Sequence, residues 1–152
     1  MAKLSAGLLL YRYTEELQVL LVHPGGPFFR NKDEGAWTIP KGEVRPGEEP
    51  LAAAHREFRE ETGHPAAGSL VELNPVKQKG GKVVHAWAVA GDLDPAAIVC
   101  NTFELEWPPK SGRLVAFPEI DRAEWFGIDG ARLKINPAQV GFLDELLQKL
   151  AR

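Results

Sequence analysis

The chain has 152 residues, of which 44% are hydrophobic and 26% are charged, and its net charge is −3 at pH 7. This composition is typical of one soluble globular domain and argues against a protein that binds nucleic acid over a broad basic surface. The single cysteine, Cys100, excludes an intramolecular disulfide and favours a reducing compartment. No apolar run approaches the ~20 residues of a membrane span. We therefore expect one cytoplasmic domain over residues 1–152, monomeric or homodimeric, without membrane or nucleic-acid partners.

The first part of the chain predicts a β-hairpin followed by an irregular loop. Two apolar runs, residues 4–13 and 17–23, flank three polar residues, a pattern that predicts two antiparallel strands. Residues 24–36 are rich in turn-forming residues and contain the adjacent aromatic residues Phe28 and Phe29. In such a loop, the two rings either pack beneath the loop or form an exposed platform on which a base can stack.

The rest of the chain alternates between strand and helix patterns. The predicted strands are residues 37–39, 69–73, 82–90, 98–105 and 123–126, and the predicted helices are residues 50–63, 128–135 and a last helix that Asn136 caps and Pro137 begins. Strand 82–90 carries apolar residues on both faces, which indicates a sheet covered by helices. Proline and glycine predict loops at residues 40–48 and 107–113. Periodicity alone therefore indicates a mixed α and β fold.

The predicted helix at residues 50–63 carries a group of carboxylates on one face. At helical spacing, Glu57, Glu60 and Glu61 lie within an arc of roughly 100°. Like charges crowded in this way repel each other at neutral pH, and a cation between them would remove that penalty. Oxygen ligands suit a hard divalent ion such as Mg²⁺, which completes its coordination with waters and phosphate oxygens. The alternative is a solvated acidic face with Arg/Glu pairs.

The same segment has the spacing of a known family motif. Residues 42–63 are GEVRPGEEPLAAAHREFREETG. They resemble the Nudix box, G-x5-E-x7-R-E-U-x-E-E-x-G-U, in which U is a bulky apolar residue. Every fixed polar or glycine position matches, Phe58 occupies the first U, and His64 at the last U is the one departure. The resemblance implies the Nudix fold, a mixed β-sheet sandwiched between helices (an α/β/α sandwich).

The resemblance also implies a reaction and a metal site. Nudix hydrolases cleave a phosphoric anhydride bond in nucleoside diphosphate-linked substrates with Mg²⁺ or Mn²⁺. On the matching positions, Glu57 and Glu61 would be the principal metal ligands and Glu60 a further or water-mediated ligand. Lys41, just before the box glycine, would offer its backbone carbonyl to the metal.

Other box residues are expected to support this site. Arg56 would orient the glutamates by charge-assisted hydrogen bonds, with help from Glu48. Gly42 and Gly63 would serve the conformation of the backbone.

The family often adds a glutamate from outside the box as metal ligand or general base. In several members, this glutamate lies six residues before an aromatic residue near the last strand. Here Glu119 lies six residues before Trp125, so we expect Glu119 to have this role. Glu104 and Glu106 are its rivals.

Substrate choice depends on residues outside the box. The segments WTIPKGEVRPG (residues 37–47) and KVVHAW (residues 82–87) look similar to dinucleoside polyphosphate hydrolases of this superfamily. Scattered cationic and aromatic residues are the candidates for binding several phosphates and a base: Lys79, Lys82, Lys110, Arg113, Phe28, Phe29 and Trp107. For the lysines near residue 80, the alternative is a solvated turn. Nucleoside triphosphates, ordinary or oxidised, nucleotide sugars and inositol polyphosphates remain open as substrates.

A different class of function is also open. Some Nudix-fold domains have lost catalysis and serve as nucleotide sensors or binding modules. Such loss normally shows as missing box glutamates, whereas all three are present in this chain. The residues therefore favour an enzyme, and the binding module remains the alternative.

Overall fold

The fold is given by a computed structural model that describes residues 3–151. Short 3₁₀ turns lie at Pro95–Ala97 and Pro137–Gln139. The strands in this range are β1 (Leu4–Tyr13), β2 (Leu17–Pro24), β3 (Lys41–Glu43), β4 (Leu70–Lys77), β5 (Val83–Ala90), β6 (Thr102–Glu106), β7 (Leu114–Pro118) and β8 (Ile120–Gly127), and the α-helices are α1 (Pro50–Thr62), α2 (Ile128–Lys134) and α3 (Val140–Leu150). None of the helices between residues 3 and 151 is long and apolar enough to cross a membrane.

The main sheet has the strand order β4-β5-β1-β2-β8, and β3 is also paired with β1. The pairing of β1 with β5 is parallel, whereas β1 pairs with β2 and with β3 in antiparallel fashion. The two partners share one edge of β1, since β2 pairs with Tyr11–Tyr13 and β3 pairs with Ser5–Gly7. The β1–β2 hairpin predicted from the sequence is confirmed, but its two strands separate and admit β3 between them.

The insertion of β3 depends on a glycine in β1. A Cβ at position 7 would lie only 2.4 Å from the carbonyl oxygen of Pro40. That same oxygen accepts a hydrogen bond from the Leu8 N–H at 3.2 Å. The close approach fixes Lys41 and Gly42 beside β1, next to the helix α1.

Helices cover both faces of the sheet. On one face, α1 buries Ala54 and Phe58 against Leu8 and neighbouring apolar residues. On the opposite face, α3 buries Phe142 and Leu146 in a second core. The predicted α/β/α sandwich is therefore confirmed, and the hydrophobic face of α1 leaves its glutamate face free for the site.

Some of the predicted elements need correction. Residues 37–39 do not form a strand: Trp37 and Thr38 make only isolated bridges, and the strand follows at β3, inside the predicted loop 40–48. Pairing with the distant strand β1 determines β3, so local periodicity could not find it. Strand β5 is fully buried on one face only, because His85 and Trp87 on the other face are partly exposed.

The strand β7 was not predicted. It pairs with β6, and the two form a separate two-stranded sheet. The rings of Phe103 and Phe117 face each other across this pair at 6.0 Å. We call this unit, residues 102–118, the β6–β7 hairpin; it leads directly into Glu119.

Candidate active site

Arg56 is the centre of an ion-pair network on α1. Its guanidinium donates to both carboxylate oxygens of Glu48, at 2.8 and 3.0 Å, and to the backbone carbonyl of Glu43 at 3.0 Å. It also donates to Glu57 at 2.6 Å and to Glu60 at 3.2 Å. These bonds lower the pKa of Glu48 to about 2 and raise the pKa of Arg56. The network fixes the directions of three box carboxylates, those of Glu48, Glu57 and Glu60.

Glu61 lies in the most buried part of the carboxylate group. Its Oε1 accepts a hydrogen bond from the Lys41 N–H at 3.2 Å. Burial and, after it, the negative charge of Glu57 raise the pKa of Glu61 to about 8, against a smaller opposing effect of Lys41. A carboxylate that is this hard to ionise near other carboxylates is what a divalent cation would stabilise.

Glycine occupies positions 42 and 63 of the box for different structural reasons. A Cβ at position 42 would lie 2.0 Å from the carboxyl carbon of Glu57, and the φ of Gly42 is outside the left-handed region. No left-handed φ supports the expected role of Gly42 in backbone conformation, and Gly42 instead leaves room for the flexible end of the Glu57 side chain. Gly63 does adopt the left-handed conformation, with φ of 78°, and its N–H caps α1 by donating to Arg59 O.

Glu119 lies between β7 and β8 and reaches the same site. Its pKa is raised by burial first and then by the charges of Glu57 and Glu60. Glu119 in turn helps to raise the pKa of Glu61. The fold therefore places Glu119, which is distant in sequence, within electrostatic range of the box glutamates.

The rival glutamates have other surroundings. Glu106 accepts hydrogen bonds from the backbone N–H groups of Lys110 at 3.1 Å and Gly112 at 3.0 Å. It thereby closes the turn of the β6–β7 hairpin. Glu104 is exposed on β6. This geometry favours Glu119 over both rivals for a place at the site.

The Lys41 side chain lies close to the carboxylates, and Lys82 lies close to Lys41. The pKa of Lys41 is lowered by burial and then by the positive charge of Lys82, while Glu61 and Glu57 act in the opposite direction. Sequence reasoning had assigned only the backbone carbonyl of Lys41, and so it missed this side chain. The signal in the sequence was its position directly before the box glycine. The proximity of Lys82 appears only in the fold.

The other predicted cationic residues are more peripheral. Lys79 is exposed on the turn between β4 and β5, and Lys110 and Arg113 are exposed at the tip of the β6–β7 hairpin. None of these three side chains forms an ion pair with another residue in the range 3–151. The structure does not bring them to the box glutamates.

The predicted aromatic residues separate into two groups. Phe28, 60% exposed, contacts Trp107 edge-to-face with ring centroids 5.7 Å apart. This pair joins the loop after β2 to the tip of the β6–β7 hairpin. Phe29 is partly buried, and the Lys32 ammonium lies 5.4 Å from its ring centroid. The sequence left two alternatives for these rings: Phe28 is exposed, as in the platform alternative, and Phe29 is partly buried, as in the packed alternative.

A cavity of about 680 Å³ lies along the outer edge of β8, beside Glu119. Ile98, Cys100, Ile120 and Arg122 are among its lining residues, and the box glutamates are not. Cys100 is only partly buried, and its thiol donates to Ile120 O at 3.4 Å. This cavity therefore lies next to Glu119 and does not contain the box glutamates.

The carboxylates of Glu57, Glu60 and Glu61 are the candidate donors to a metal ion. In the part of the chain from residue 3 to residue 151, no three His, Cys, Asp or Glu side chains converge on one ion position. The reason lies in the present contacts, because Arg56 engages Glu57 and Glu60 while Glu61 faces the Lys41 N–H. The chemistry of the set nevertheless suits a hard divalent cation, since all donors are oxygens and the charges of Glu57 and Glu119 still raise the pKa of the buried Glu61.

The fold and the glutamate helix together define a class of protein. A family model described as NUDIX domain matches residues 1–146. The chain therefore belongs to the Nudix family, and the resemblance seen in the box is confirmed. Enzymes of this family generally use divalent metal ions.

Particular relatives can be named beside the family. The chain is 47% identical over 57 residues to bis(5'-nucleosyl)-tetraphosphatase [asymmetrical] of Rattus norvegicus, an alignment that covers 34% of this chain and 39% of the relative. The same figures hold for the Mus musculus protein of that name. The chain thus spans well under half the length of these relatives.

Solved structures resemble the whole chain. A binary complex of the Ap4A hydrolase of C. elegans has a TM-score of 0.68 at 23% identity, covering 97% of this chain and 98% of that chain. The NUDIX domain of Shewanella oneidensis NrtR, complexed with ADP ribose, has a TM-score of 0.70 at 15% identity, covering 99% and 90%. At this identity, the likeness establishes the shared fold.

Proposed function

We propose that this protein is a Mg²⁺-dependent hydrolase, with Mn²⁺ as a substitute, that cleaves a phosphoric anhydride bond in a nucleoside diphosphate-linked substrate. One observation carries the proposal: Glu119 lies within electrostatic range of Glu57, Glu60 and Glu61. A solvated helix face with paired charges gives no reason for a fourth carboxylate from the distant β7–β8 junction. A site that binds a cation and activates water gives such a reason, because it uses a further carboxylate as a base.

The metal would be held by the box carboxylates. Glu57 and Glu61 are the proposed principal ligands, and Glu60 and the Lys41 carbonyl complete the set with water. When bound, a divalent ion neutralises phosphate charge and lowers the pKa of a coordinated water. In this arrangement, Arg56 acts on the site by holding the carboxylates of Glu57 and Glu60 in fixed directions.

The remaining roles fall to Glu119 and the two lysines. Glu119 is the proposed general base. Its pKa is raised, and a base accepts a proton from water most effectively when its pKa is close to the working pH. The ammonium groups of Lys41 and Lys82 lie close enough to influence each other. Both would bind phosphate oxygens of the substrate, whose negative charge would offset their mutual repulsion.

A dinucleoside polyphosphate is the proposed substrate. The similarity to asymmetrical bis(5'-nucleosyl)-tetraphosphatases over 57 residues supports this choice. The exposed Phe28–Trp107 pair offers an aromatic surface for a base. Lys110 and Arg113 on the same hairpin, and Lys79 on the β4–β5 turn, would contact outer phosphates of a long substrate, with Phe29 supporting the loop.

The test is a panel of substrates with Mg²⁺: diadenosine polyphosphates, nucleoside triphosphates, nucleotide sugars and inositol polyphosphates. Products are separated by chromatography, and Glu61→Gln serves as control. Preferential cleavage of a diadenosine polyphosphate that the variant abolishes is the expected result. Nucleotide-induced thermal stabilisation without Mg²⁺-dependent release of any product would contradict the proposal and establish the binding module instead.

A further inference from the structure

Glu119 is fixed by a continuous series of backbone hydrogen bonds. Its N–H donates to Asn101 O at 2.9 Å, and its carbonyl accepts from the Gly25 N–H at 2.8 Å. The Asn101 N–H in turn donates to Glu60 O, in the last turn of α1, at 3.3 Å. We call this series the Glu119 anchor. It ties the main chain of Glu119 to the helix that carries the box glutamates.

Gly25 is the tightest point of the Glu119 anchor. It is buried, and a Cβ at this position would lie 1.9 Å from Pro118 O and 3.4 Å from the carbonyl carbon of Glu119. Its φ is outside the left-handed region, so the requirement is for space. The opposing atoms belong to the backbone and cannot rotate away as a side chain can. Any larger residue must therefore push the segment 118–119 outward.

We propose that Gly25 is a positioning residue, which sets the distance between Glu119 and the glutamates of α1. This inference rests on the proposed role of Glu119 in hydrolysis. A displacement of about 1 Å in a reacting group lowers a rate on the order of 10²-fold. Gly25 itself contacts neither substrate nor metal, so its effect passes through Glu119 alone.

The experiment compares Gly25→Ala with a matched variant, Gly68→Ala. A Cβ at position 68 would lie 2.0 Å from Ala90 O, a similar clash with a backbone carbonyl at the end of β5. Both variants should lose melting temperature to a similar extent. Only Gly25→Ala should lose kcat, by about 10²-fold, while its KM for diadenosine tetraphosphate stays within a small factor of the wild type.

A double variant separates positioning from general damage. In a Glu119→Gln background, Gly25→Ala should add little further loss of kcat, because there is no base left to displace. Equal losses in both backgrounds would overturn the inference. An unchanged rate for Glu119→Gln alone would overturn the proposed role of Glu119 and the inference with it. Loss in Glu119→Gln but not in Gly25→Ala would overturn the inference only.

Hydrogen exchange gives a measurement that is independent of activity. The Glu119 amide should be protected in the wild type and should exchange on the order of 10-fold faster or more in Gly25→Ala, with unchanged protection in Gly68→Ala. Unchanged protection in Gly25→Ala would contradict the inference. If Gly25→Ala does not fold, Asn101→Pro tests the other end of the anchor. Asn101→Pro removes the backbone N–H that donates to Glu60 O, whereas Asn101→Ala retains this N–H. Only the proline variant should therefore lose kcat.

Discussion

The site has two sides that are held in different ways. On α1, the proposed ligands lie within one helix, and Arg56 donates to the carboxylates of Glu57 at 2.6 Å and Glu60 at 3.2 Å. On the other side, no side chain within residues 3–151 bonds to the Glu119 carboxylate in this way, and backbone hydrogen bonds with Gly25 and Asn101 hold its main chain. A single helix thus carries the proposed metal ligands, and long-range backbone contacts position the proposed base. The two sides should respond differently to mutation.

The largest effect is expected on the α1 side. Glu61→Gln should lower kcat by about 10³-fold or more, because the variant keeps the shape of the side chain but removes a metal-binding charge. Activity assays with Mg²⁺ and thermal unfolding of the same preparations check this. Near-normal turnover would exclude Glu61 as a ligand.

The next largest loss of activity is expected on the side of Glu119. Glu119→Gln should lower kcat on the order of 10²-fold, as is typical for loss of a general base. Glu104→Gln is the matched control, since it removes an exposed carboxylate from the adjacent β6–β7 hairpin. Loss of activity in Glu104→Gln but not in Glu119→Gln would reverse the assignment.

A smaller effect is expected where the α1 side depends on a glycine. Gly42→Ala should displace the flexible Glu57 carboxylate and leave the fold nearly intact, with kcat lower by roughly 10-fold or more. Gly130→Ala in α2 is the control, because a Cβ there meets Phe126 at an ordinary 3.7 Å. The control should keep its activity and gain roughly 0.5–1 kcal/mol of stability. Equal activity of the two variants would show that Glu57 is not held against Gly42.

Apart from these effects on rate, the free energy of unfolding should depend on pH when no metal is bound. The pKa of Glu61 rises from its ordinary 4.5 to about 8 on folding. The folded state therefore keeps a proton that the unfolded state loses, so stability should fall as pH rises from 4.5 to 8, by at most about 5 kcal/mol. Urea unfolding with a chelator measures this. Glu61→Gln should flatten the dependence and Mg²⁺ should remove it in the wild type; a decline that neither changes would contradict the assignment.

The two sides also differ in what the sequence could predict. The α1 side follows from spacing within one helix, so its boundaries and its glutamate face were predicted correctly. The strand β3 and the side chain of Lys41 were missed, because pairing with β1 across more than thirty residues determines both. Glu119 was predicted from its spacing before Trp125, which the family resemblance suggested, and it lies within electrostatic range of Glu57 and Glu60. The Glu119 anchor was beyond reach, since backbone contacts between distant segments leave no periodic pattern.

The most direct test of the hydrolase proposal is single-turnover cleavage of diadenosine tetraphosphate in H₂¹⁸O with saturating Mg²⁺. The wild type, Glu61→Gln and Glu119→Gln would be compared at equal concentration. We expect cleavage by the wild type with one ¹⁸O in the mononucleotide product or its nucleotide partner, a much larger loss in Glu61→Gln, and an intermediate loss in Glu119→Gln. Equal rates in all three proteins, or tight binding of the compound without any cleavage, would contradict the account.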